Sequence, residues 1–134
     1  MDKNTAKSRL FDLYQIAVAD QTVKTNEYQF LIDIAKSLEL SENDVIDLME
    51  GHLEFTITKP ISYEDRMQHL FQLLFLMKID GEIHQEEIIR IKNIALHLGL
   101  NLMLTDELIA LIIKFKNDLV PEKEMLAQIK KHLN

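Results

Sequence analysis

This chain of 134 residues has no cysteine, and that absence removes disulfides, thiolate metal sites and a cysteine nucleophile from consideration. It has three glycines and two prolines, too little punctuation for a protein built of many short strands and turns. Positive charge is scarce: 15 Lys and Arg stand against 22 Asp and Glu, for a formal net charge of -7 and a pI near 5.2. A phosphate-backbone ligand needs a concentration of cations that is missing here, so no nucleic-acid binding is expected. Lys130 and Lys131 form the one basic cluster of note, where they suit the C-terminal end of a helix. Long apolar runs are missing too. The stretch from Met67 to Ile79 falls well short of the about 20 residues that a membrane span requires. The polar start MDKNTAKSR carries no apolar core of a signal peptide, and a cytoplasmic location is expected.

What is present is helical periodicity and a repeat. The 47% of hydrophobic residues suffices to fill one core, and the length fits one domain, residues 1–134. Residues 70–100, LFQLLFLMKIDGEIHQEEIIRIKNIALHLGL, lie without a gap on residues 10–40, LFDLYQIAVADQTVKTNEYQFLIDIAKSLEL, at an offset of sixty. Nine pairs are identical: Leu10/Leu70, Phe11/Phe71, Leu13/Leu73, Asp20/Asp80, Glu27/Glu87, Ile34/Ile94, Ala35/Ala95, Leu38/Leu98 and Leu40/Leu100. Apolar identities between leucine-rich helices come cheaply. The acidic pair, Asp and Glu seven residues apart in both copies, is the more telling signal.

The expected fold is all-α, about seven helices in one domain, with two helical hairpins related by a pseudo-twofold axis. Helices are expected over about 5–19, from Tyr28 onward to Leu38, from Ser41 to Glu50 with Gly51 as its stop, over 63–79, over 84–97 with Gly99 as its stop, from a Thr105 cap onward, and over 121–133 behind Pro121. Ser41 to Asp44 and Ser62 to Asp65 read as capping boxes. Helix 63–79 is apolar on nearly every side after Leu70 and is expected at the centre of the domain. Residues 53–61, LEFTITKPI, alternate like a strand, but no other segment offers a strand to pair with, so they read as an extended connector.

The chemistry-bearing constellation is Asp80-Gly81-Glu82-Ile83-His84-Gln85-Glu86-Glu87 and its counterpart from Asp20 to Glu27. An EF-hand alignment places Gly81 and Glu87 at calcium-loop positions, yet it puts Leu76 and Lys78 where carboxylates are needed, so neither copy is a calcium loop. Two roles remain open from the residues alone. Each Glu stands near the third position of a helix, where it can reach back to a loop amide and favour the helix dipole. Alternatively, the four carboxylates Asp80, Glu82, Glu86 and Glu87, joined by Asp20 and Glu27, would offer a hard cation its preferred oxygens. No histidine pair stands at zinc-binding spacing, and no nucleophile with its base is evident.

The run Met77-Lys-Ile-Asp80-Gly81-Glu82-Ile83, then Glu86-Glu87, then Ala95-Leu-His-Leu98-Gly99-Leu100, resembles the TerB family, the tellurite-resistance and stress-associated helical domains related to the N-terminal region of the DjlA co-chaperones. The resemblance covers roughly residues 10–113. In the first copy Gln21 and Glu39 stand where the second has Gly81 and Gly99. The resemblance implies a non-enzymatic binding or scaffold module in a stress response, with a protein partner, a homo-oligomer within reach, and a divalent cation, calcium or magnesium, at Asp20, Glu27, Asp80 and Glu87, with Glu82 and Glu86 secondary. The rival readings are an enzyme using a crowded carboxylate as general base, and a purely structural interaction domain.

Overall fold

A computed structural model describes residues 1–19, 21–79 and 81–115. Among them are six helices and no strand: α1 (Lys3–Ala17), α2 (Thr25–Ser37), α3 (Glu42–Met49), α4 (Tyr63–Lys78), α5 (Gln85–His97) and α6 (Leu102–Lys114). The helix expected over 121–133, and with it Lys130 and Lys131, lies outside the described residues.

Four of the six helices, α1, α3, α4 and α6, begin at a side chain that accepts from a free first-turn amide. Asp2 accepts from the Thr5 amide at 2.8 Å and starts α1 two residues earlier than periodicity suggests. Ser41 and Asp44 close a full capping box on α3, whereas on α4 Ser62 accepts from the Asp65 amide alone. The cap of α6 is Asn101, whose side chain accepts from the Leu104 amide at 3.0 Å; the expected cap, Thr105, is buried a turn later and donates its hydroxyl to the Asn101 carbonyl. Both residue types cap well, and the apolar Leu102 to Leu104 belongs to the first turn rather than to a loop.

The central pair is α1 and α4, with α2 and α5 packed on them and α3 and α6 closing the ends. Leu10, Leu13, Ile16 and Ala17 of α1 meet Leu70, Leu73, Leu74, Leu76 and Met77 of α4 in one continuous core. The all-round apolarity of α4 is explained by its neighbours α1, α5 and α6, although Phe75 remains half-exposed and stacks on Phe30 of α2 at 5.3 Å. Burial of these large side chains contributes about 1.5–3 kcal/mol each relative to exposure, and is what orders the fold.

The connector at 53–60 is extended and belongs to no sheet. Its backbone is instead hydrogen-bonded by side chains of α1. The Asn4 amide accepts from Thr56 N–H at 2.7 Å and donates to Thr56 C=O at 2.8 Å; the Ser8 hydroxyl accepts from Thr58 N–H at 3.0 Å and donates to Thr58 C=O at 2.9 Å. Phe55, just before them, packs its ring on Phe11 at 5.2 Å. The strand-like alternation is therefore real, with a helix face in the place of a partner strand.

Candidate functional site

Helix boundaries recur at the repeat offset: Thr25–Ser37 against Gln85–His97, and starts at Glu42 and Leu102. The loops before α2 and α5 repeat in detail. Gln21 N–H donates to Val18 C=O at 2.8 Å with φ of 73°, and Gly81 N–H donates to Lys78 C=O at 2.9 Å with φ of 79°. Glu39 at φ 62° likewise matches Gly99 at φ 75°. Gln21 and Glu39 thus adopt, without being glycine, the left-handed backbone that glycine makes cheap.

Val23 and Ile83 pin the two loops to the core. Each loop then ends in an N-cap, Lys24 or His84, closed from the far side by a carboxylate. Glu27 accepts the Lys24 amide at 3.0 Å, and Glu87 accepts the His84 amide at 2.8 Å. Both glutamates are buried, at 3% and 4% exposure. The identity of Glu27 with Glu87 thus has a structural cause: the N-cap amide at each helix entrance takes a carboxylate acceptor, and the dipole favours a charged one.

The two loops also meet. Lys24 of the first copy lies 3.5 Å from Glu82 of the second, and His84 approaches the same carboxylate at 3.7 Å. Glu82 and Glu86 are exposed at this end of the molecule. The structure therefore sets Glu82 of the second loop against Lys24 of the first, while Glu27 and Glu87 each close the N-cap of their own helix. Asp20 and Asp80 lie outside the described residues. Among the described residues, no group of three or more His, Asp or Glu side chains is disposed to hold a metal ion.

A second polar constellation lies between α1 and α4. Arg9 donates from Nε to Gln72 Oε1 at 2.8 Å, and His69 Nε2 meets Asp12 Oδ2 at 2.9 Å. Positions 9 and 69 are sixty apart, as are 12 and 72. Each copy's position 9 or 69 thus bonds the other copy's position 72 or 12. Arg9 and His69 are almost wholly buried, and burial pushes both pKa values down; Asp65 opposes the shift at Arg9, and Asp12 opposes it at His69. Neither Arg9 Nη2 nor His69 Nδ1 has a hydrogen-bond partner among the described residues. Sequence reasoning placed His69 on a core helix but passed over Arg9, Asp12 and Gln72. Reading the repeat for polar positions rather than identities would have found them, since four polar residues at two paired positions stand inside an apolar stripe. His97, in the last turn of α5, is exposed.

Compared with protein-family models, with curated proteins and with solved structures, the chain matches none.

Proposed function

We propose that this chain is a non-enzymatic binding module of the TerB kind, in which two helical hairpins pack about a pseudo-twofold axis and present their two loops as one acidic binding face. The observation that carries the reading is the Lys24–Glu82 contact at 3.5 Å, which places a residue of one copy's loop against the other's. The reciprocal pairs Arg9–Gln72 and His69–Asp12 support the axis, because a two-fold contact is one in which i meets j and the equivalent of j meets the equivalent of i. In this reading Asp20, Glu27, Asp80 and Glu87 gather around a divalent cation, calcium or magnesium, with Glu82 and Glu86 at its rim, and a protein partner docks on the same end.

One observation favours a plainer role for the glutamates. Their Oε1 atoms already serve the N-cap amides, so they also act as corner posts of the two helix entrances. Calorimetric titration of the chelator-treated protein with calcium, magnesium, manganese and zinc separates the roles. Saturable binding that is lost in Asp80→Asn with Glu87→Gln establishes the cation site. An absence of binding, with that variant only less stable, leaves the acids as caps and moves the search to protein partners.

A further inference from the structure

The connector has two backbone edges, and only one is used. In an extended chain the N–H and C=O of alternate residues point to opposite sides. Thr56 and Thr58 turn theirs to Asn4 and Ser8 of α1, and the Glu54 carbonyl meets Lys7 Nζ at 3.4 Å. Phe55 and Ile57, on the other parity, have no hydrogen bond from either backbone group among the described residues. Buried amides are nearly always paired, and Ile57 is 60% exposed, in keeping with an unpaired edge. A helix has thus organised one side of a strand and left the other as an open edge, with about 6.8 Å between like groups.

Beside this edge lies a groove of about 440 Å³ between α1, the connector and α5. Its apolar floor is Phe11 and Ile94, Ile57 forms one wall, and Arg90, Asn93 and His97 of α5 form the other. The Asp12 carboxylate at its base is engaged by His69. Arg90 makes no ion pair among the described residues, and neither does Lys59 at the end of the connector, in a protein with a net charge of -7.

We propose that this edge is a docking site for an extended peptide that adds to residues 55–57 as a strand, lays an apolar side chain in the groove and sets a carboxylate on Arg90. Backbone pairing supplies affinity without sequence preference, and the groove supplies the selection. The backbone edge and the unpaired arginine point to the same occupant: a ladder of alternating donors and acceptors fits another main chain, and Arg90 fits an acid. This surface is separate from the loop face and does not depend on its assignment.

The probe is a displayed library of random peptides of about nine residues, the length of a long strand, selected on the whole protein. The expected outcome is enrichment of alternating β-branched sequences carrying Asp or Glu. A synthetic enriched peptide then slows hydrogen exchange at the Phe55 and Ile57 amides by about tenfold or more. N-methylation of its alternate amides weakens binding by about tenfold, and Arg90→Gln weakens it several-fold without altering the free protein's unfolding. Three results overturn the proposal: no enrichment; binding that ignores N-methylation or protects another face; or protection of Phe55 and Ile57 that rises with protein concentration alone, which gives the edge to a second copy of the chain.

Discussion

The polar pairs between α1 and α4 make His69 the residue through which acidity reaches the core. Its pKa is held below the ordinary value of 6.5 by burial, with Asp12 opposing. The unfolded chain therefore binds a proton in a pH window where the folded chain does not. Stability is accordingly full above about 6.5 and falls as pH drops from there to the folded-state pKa. Urea unfolding at pH 7.5 and 5.5 is expected to show a lower midpoint at the acidic value, and His69→Gln is expected to shrink the difference. A midpoint that is equally pH-dependent in the variant would assign the effect elsewhere. At the helix entrances, Glu87→Ala leaves the His84 amide without its acceptor and is expected to cost about 0.5–2 kcal/mol, as the loss of a cap does. Glu87→Gln keeps a carbonyl in place and is expected to lose only the dipole contribution, about 0.3–1 kcal/mol. Denaturant titration of the two variants compares acceptor with charge.

At the scale of elements, the two stretches sixty residues apart share backbone geometry while differing in chemistry. Glu39 sits in the conformation that Gly99 occupies freely, and an added Cβ at Gly99 would meet only the Arg66 and Lys59 side-chain ends at 3.8 and 3.9 Å. Gly99→Ala is thus expected to cost about 1 kcal/mol through backbone strain rather than a clash, and Glu39→Gly to gain a fraction of that, after the entropy glycine costs in the unfolded chain. Thermal melts of the two variants should move in opposite directions. Much of this was legible in the sequence. Helix positions follow from apolar spacing, and the glutamates' place near the third helical residue foretold their reach to the N-cap amide. What was hidden depended on contact across helices. Nothing local in LEFTITKPI says that Asn4 and Ser8, about fifty residues away, will satisfy its backbone. Ser8→Ala should expose that dependence, raising exchange at the Thr58 amide while leaving the amides of α4 protected. Nor does a capping residue announce which of two candidates wins, as Asn101 and Thr105 show.

For the whole molecule, the central packing of α1 on α4 means that neither hairpin has a core of its own. Leu13 and Leu73, equivalent positions, are both fully buried in the same cluster. Leu73→Ala is expected to cost about 2–5 kcal/mol and to lower the unfolding transition of all the helices together, with circular dichroism and fluorescence of the tyrosines giving coincident curves. Residues 53–60 are the covalent link between those two halves, and they carry an arithmetic of their own. Since alternate side chains face alternate ways, inserting one residue at position 56 would still offer Asn4 and Ser8 a main chain to bond but would turn every side chain after it, Ile57 included, to the opposite face, while inserting two would restore the alternation. The tether between the hairpins therefore tolerates changes of length by evenness before it tolerates them by size, and drift in this segment is expected to proceed in steps of two.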